Sequence, residues 1–173
     1  ARDRANLLAQ ELNHRVKNTL ANVLSIVSLT RRRSQDLDEF AEGLDGRIRA
    51  LSATHDLLTQ SEWGTTPIRS VVEVELAPYA RDQDHSLDLV GPHTELAPND
   101  ALSLGLAIHE LATNAAKFGS LSVPGGEVAV HWSQVNDTLA KIEWIESNGP
   151  PVDKPRRRGF GTDLIEKIVA HEL

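Results

Sequence analysis

The chain has 173 residues, no cysteine, and a net charge of −7 from 18 Lys and Arg against 25 Asp and Glu. That is room for one ordinary domain or two small ones. It excludes disulfides and thiolate metal sites, and makes general nucleic-acid affinity unexpected. A hydrophobic share of 40% supports a packed core. No apolar run approaches the ~18 residues of a membrane span, and no signal peptide is visible, so a cytoplasmic location is expected. An anionic ligand would need local cations or a metal ion. The chain opens at Ala1 in helical pattern without an initiator methionine, so a piece of a longer protein is expected.

Residues 5–30 carry apolar side chains three or four apart (Leu8, Leu12, Val16, Leu20, Val23, Val27), the pattern of a helix with one buried stripe. At about 100° per residue, His14 lies roughly 200° from both Leu12 and Val16 and points away from that stripe. Its neighbours are Gln10, Glu11, Lys17 and Asn18. It reads either as a surface histidine or as one that meets a visiting partner. "RRRSQD" (31–36) is the expected turn. Asp36 with Glu39 forms a capping box opening a second helix that runs to about residue 61 through Leu37, Phe40, Leu44, Ile48, Leu51, His55 and Leu58. Gly43 and Gly46 weaken its middle. Two such helices make a hairpin that should pack against a copy of itself or another domain.

"SEWGTTP" (61–67) is a linker. A third helix is expected to start at Thr66-Pro67 and run to about Ala80, with Pro78 limiting its length. "SLDLV" (86–90) reads as a strand and "GPHTELAP" as loop. A long helix is expected over 99–118, closed by Gly119 as a C-terminal cap. Strands follow at 127–134 and 139–146, joined by a hairpin turn at "VNDT". Residues 147–161 form a loop with three prolines and three glycines, and 162–173 a last helix. The second half is thus a mixed helix and strand domain, with one long loop of the kind that usually carries function.

Three segments carry candidate chemistry. In "HELATNAAKFG" (109–119), Glu110, Asn114 and Lys117 share one helix face. An acid, an amide and an amine in a row suit a hydrated Mg²⁺ with phosphate oxygens behind it, though they equally suit a solvated face. In the loop, Gly159 and Gly161 precede a helix start at Thr162, and Lys154, Arg156, Arg157 and Arg158 supply positive charge, which together suit an anion. The alternative is a flexible surface loop. In "EWIESNGPP" (143–151), Glu146 ends a strand, where a carboxylate can accept a hydrogen bond from an exocyclic amine such as that of adenine. Trp144 reads as a core residue. His109-Glu110 lacks a second histidine at HExxH spacing, and no nucleophile elbow is present.

In order, these segments resemble the histidine kinases of the HWE/HisKA_2 group. "LNHRVKNTLANV" is similar to the group's phosphoacceptor box, "HELATNAAKFGSLSVPGGEVAVHW" to its N box, "WIESNGPP" to its Trp-x-Glu segment, and "RRGFGTDLI" to its second glycine box. The resemblance covers nearly the whole chain. It implies an α+β architecture: a dimerisation and histidine-phosphotransfer hairpin over 1–62, half of a four-helix bundle, then a Bergerat-type (GHKL) two-layer ATP-binding domain over 63–173 lacking its last strands. By the same resemblance, His14 is the phosphoacceptor, Asn114 coordinates Mg²⁺, and Glu110 and Lys117 help hold metal and phosphates. His109 belongs to the same box. Glu146 stands where the usual aspartate reads adenine. Gly149, Arg158, Gly159, Gly161 and Thr162 join the ATP-contacting residues, the last glycines shaping a lid. A response-regulator receiver domain is the implied partner, with an upstream sensor domain outside this chain and a homodimer through the hairpin. Two departures stand out: Arg15 follows the phosphoacceptor where commoner histidine kinases have an acid, as in this group, and Asn148 stands where the group often has glycine. The rival readings are a non-catalytic phosphotransfer protein with a degenerate ATP domain, and a GHKL serine kinase.

Overall fold

A computed structural model describes residues 1–81 and 85–151. The expected lid beyond Pro151 and the last helix, with Arg158, Gly159, Gly161 and Thr162, lie outside those residues. By packing, the chain divides into two units, Ala1–Ile48 and Arg49–Leu173.

The first unit holds α1 (Arg2–Arg33) and the start of α2 (Leu37–Gln60). Arg31, Arg32 and Arg33 stay helical, so the turn begins later than the sequence pattern suggests. Cations in a last helical turn complement its unpaired carbonyls, which favours this extension. Ser34 ends the helix in extended conformation, its hydroxyl donating to the Thr30 carbonyl at 2.6 Å. The capping box forms: the Glu39 N–H donates to Asp36 Oδ1 at 2.8 Å, and Glu39 Oε2 accepts from the Gln35 N–H at 2.8 Å. Helix α2 runs unbroken through Gly43 and Gly46. Gly43 has a packing reason, since a Cβ there would lie 2.8 Å from Arg47 Nη1 and 3.5 Å from Thr30 Cγ2. Leu8, Leu12, Val16 and Leu20, the intended core stripe of α1, remain exposed.

In the second unit, Thr66–Pro67 leads directly into the expected third helix but is itself extended. It forms β1, paired antiparallel with β3 (Glu95–Leu96), a strand hidden in the expected loop. Pro67 is the N-cap of α3 (Ile68–Ala80). Helix α4 (Pro98–Phe118) and the short 3-10 turn Ser120–Ser122 lead into β4 (Glu127–Gln134), and a tight hairpin leads to β5 (Ala140–Ser147). The sheet order is β2 (Ser86–Val90), β4, β5, with β2 parallel to β4 and β5 antiparallel to it. Alternation on β4 turns Val128, Val130 and Trp132 inward, onto Ile68, Val72 and Leu76 of α3 and Ile108, Ala112 and Ala115 of α4. The result is a small α/β domain with a mixed sheet and two helices on one face.

One carboxyl lies in this helical layer. Glu75 of α3 is 7% exposed and accepts a hydrogen bond from Thr54 Oγ1 of α2 at 3.0 Å. Gly105 of α4 makes room, since a Cβ there would run into the Thr54 hydroxyl. Burial pushes the Glu75 pKa up from 4.5 to about 7, against the smaller lowering effect of the Thr54 hydrogen bond. The folded-state value lies above the unfolded one, so this group's contribution to stability is fully present below pH 4.5 and is lost as pH rises through about 7. Glu75→Gln is therefore expected to raise unfolding free energy by about 3 kcal/mol at pH 8 and to change it little at pH 4.5. Denaturant titrations at the two pH values check this. An equal effect at both would mean that charge burial is not the cause.

Candidate functional site

His14 lies on the exposed part of α1, in the first unit. Glu11, one turn back, pairs with the Arg15 guanidinium. The carboxylate nearest His14 along the helix is thus engaged by Arg15, the residue that stands where commoner histidine kinases have an acid.

The other described site residues belong to the second unit. Glu110, Asn114 and Lys117 follow one face of α4. Glu110 is buried at 4% exposure, while Asn114 and Lys117 are exposed. His109 beside them is half-buried. The face therefore starts in the packed layer and emerges toward solvent at the helix's C-terminal end. Among the described residues no group of three or more His, Cys, Asp or Glu gathers in a metal-holding cluster. Mg²⁺ takes one or two protein oxygens and completes its shell with water and phosphate. Glu110 and the Asn114 amide oxygen are donors of the right chemistry.

Glu146 ends the inward-facing row of β5, two residues beyond Trp144. Its Oε1 accepts from both the Ser120 N–H at 2.9 Å and the Ser120 hydroxyl at 3.1 Å. Its Oε2 accepts from the Trp144 indole N–H at 3.2 Å. The indole body itself packs against the core, as the sequence suggests. Helix α4, the turn after it and the end of β5 therefore meet at one carboxylate.

Gly119 is the C-cap of α4, but in extended conformation (φ −115, ψ −150) rather than left-handed. Its lack of a side chain serves a close approach, because a Cβ would collide with Glu146 Oε1. Gly149 packs on the same point: a Cβ there would lie 2.8 Å from Ser120 Cα and 2.9 Å from Ser120 N. Asn148 has φ 58, the left-handed region that glycine and asparagine tolerate best, so asparagine can stand where the group often has glycine. Sequence reasoning missed Ser120. The available signal was the density of small residues at 119–120, 125–126 and 149, which marks backbones packed close together.

A family model described as HWE histidine kinase matches residues 11–93. Proteins named blue-light-activated histidine kinase from Brucella abortus (strain 2308) and Brucella anthropi are each 36% identical to the chain over 170 residues, covering 96% of it and 35% of their own length. The chain thus spans about a third of the relatives it matches. A solved structure of the Erythrobacter litoralis EL346 blue-light activated histidine kinase superposes with a TM-score of 0.59 at 18% identity, covering 94% of this chain and 55% of that one. The histidine kinase domain of the same protein gives 0.57 at 15% identity, over 87% and 84%. Those identities speak to fold alone, and the fold is that of histidine kinase domains. Family signature, relatives and fold agree: the chain belongs to the HWE histidine kinases.

Proposed function

We infer that the chain is the catalytic core of an ATP-dependent protein histidine kinase, with a phosphotransfer hairpin over 1–62 and a GHKL-type ATP-binding domain over 63–173. The observation that carries this is the Glu146 carboxylate, held by Ser120 and Trp144 at the C-terminal end of α4, the helix that bears Glu110, Asn114 and Lys117: oxygen donors and an amine for a metal-bound triphosphate, and an acceptor for a base amine, belong to one small unit. Glu110 and Asn114 hold Mg²⁺, Lys117 meets phosphate oxygens, and Glu146 accepts from adenine. Mg²⁺, when bound, offsets the charge of the phosphates. His14 supplies an imidazole nitrogen that attacks the terminal phosphorus of ATP. The N–P bond forms as the bond to the ADP oxygen breaks, and the imidazole N–H proton leaves to solvent. The phosphohistidine then passes its phosphoryl group to an aspartate of a response-regulator receiver domain, in the cytoplasm. Exposure of His14 serves both encounters. No helix among the described residues is long and apolar enough to cross a membrane.

The test is incubation with terminally labelled ATP, with and without Mg²⁺, beside equilibrium binding of a non-hydrolysable ATP analogue. Expected are Mg²⁺-dependent, acid-labile, base-stable label and saturable binding. Absence of binding would favour the non-catalytic phosphotransfer reading.

The exposed stripe of α1 supports a homodimer through the hairpin: Leu12 is 63% and Leu20 57% exposed. Burying such a pair twice at a two-fold axis contributes several kcal/mol at ~25 cal/mol per Å². Light scattering is expected to give twice the chain mass, falling to the chain mass in Leu12→Glu/Leu20→Glu. A monomeric mass for the unmodified chain would remove the dimer from the account.

A further inference from the structure

We propose that Ser120 and Trp144 are positioning residues that fix Glu146 with one acceptor site left open, and so make the nucleotide site selective for purines bearing an amine at position 6. This rests on the reading of Glu146 as the base-contacting carboxylate. An ionised carboxylate only accepts hydrogen bonds, and its two oxygens offer about four lone-pair sites. Ser120 fills both sites on Oε1, through its N–H at 2.9 Å and its hydroxyl at 3.1 Å. Trp144 fills one on Oε2 at 3.2 Å. Among the described residues the remaining site on Oε2 has no donor, and Glu146 is exposed.

Both donors stand on rigid supports. Ser120 is 1% exposed and is pressed by backbone on two sides, since a Cβ at Gly126 would collide with its carbonyl and one at Gly149 would lie 2.8 Å from its Cα. The Trp144 ring packs against the core. The carboxylate, by contrast, ends a flexible exposed side chain, so the donors orient it and not the reverse. Its conformational entropy is lost on folding, before a ligand arrives, which is how pre-organisation adds to affinity. The open site demands a donor. The 6-amino group of adenine supplies one, whereas guanine presents a carbonyl oxygen at that position and would leave two acceptors facing each other.

The experiment compares the full chain's affinity for Mg²⁺-ATP, for Mg²⁺-GTP and for Mg²⁺-purine riboside triphosphate, which lacks the amine. One hydrogen bond to a charged group predicts a preference for ATP over the deamino analogue of roughly tenfold or more. Trp144→Phe removes the indole N–H and keeps a ring. Ser120→Ala removes the hydroxyl and keeps the backbone N–H. Each is expected to shrink that preference severalfold, chiefly by weakening ATP, and neither should shrink it further in a Glu146→Ala background. A merely structural role would weaken all three nucleotides alike and leave the ratios intact, which would overturn the proposal. An undiminished preference in both variants, with the preference lost in Glu146→Ala, would also overturn it while sparing the reading of Glu146. No preference in the unmodified protein would overturn both.

Discussion

Replacing His14 with glutamine is expected to abolish Mg²⁺-dependent phosphoryl incorporation while ATP-analogue affinity stays within about twofold, a change of under ~0.5 kcal/mol. His14 is exposed on α1, so the substitution removes no core packing, and glutamine sustains a helix at least as well as histidine. The residues proposed to hold nucleotide, Glu110, Asn114, Lys117 and Glu146, all belong to the second unit. Loss of the nucleophile should therefore separate from loss of binding. Label assays and analogue titration on the same preparation check the separation. Undiminished label in His14→Gln would remove His14 from the chemistry.

Asn114→Asp is expected to act at the other end of the reaction. The two side chains are nearly isosteric and Asn114 is exposed, so stability should move by no more than about 0.5 kcal/mol. An oxygen for the metal is kept, but a negative charge is set against the triphosphate. Two like charges ~4 Å apart near a protein surface repel by about 1 to 4 kcal/mol, depending on effective dielectric. Nucleotide affinity should fall roughly tenfold or more, with a parallel loss of label. Calorimetric titration with the ATP analogue at fixed Mg²⁺ measures it. Unchanged affinity together with an unchanged rate would mean that this face of α4 is only solvated surface.

The sequence made much of this architecture legible, and the shortfalls have physical reasons. The Asp36–Glu39 capping box is a local rule, and both of its hydrogen bonds are present. The alternation of Val128, Val130 and Trp132 specified the buried face of β4, because burial on one side of a pleated strand leaves no other register. Thr66–Pro67 leads into the third helix as expected, but its pairing as a strand was not legible. Proline suits the first helical turn, but its partner here is Glu95–Leu96, far along the chain, and a two-residue strand leaves no periodicity of its own. The arginines 31–33 looked like a break because charge interrupts an apolar stripe, yet charge of that sign suits a helix C-terminus. At the site, residue types in order were enough to single out Asn114 and Glu146. Ser120 was not legible, because its part is a tertiary contact between the end of α4 and the end of β5. Gly119 was singled out as a cap, but its reason is the carboxylate that occupies the place of a side chain.

The central claim is that His14 receives a phosphoryl group from ATP held by the α/β unit. Locating that group tests it most directly: the protein is incubated with Mg²⁺-ATP, digested at neutral or alkaline pH, and its peptides sequenced by mass spectrometry under conditions that preserve phosphoramidates. The account predicts one modified histidine, His14, in the peptide containing "LNHRVK", and no such modification when Mg²⁺ is withheld. Phosphate on a serine or on another of the seven histidines, with His14 unmodified, would contradict it.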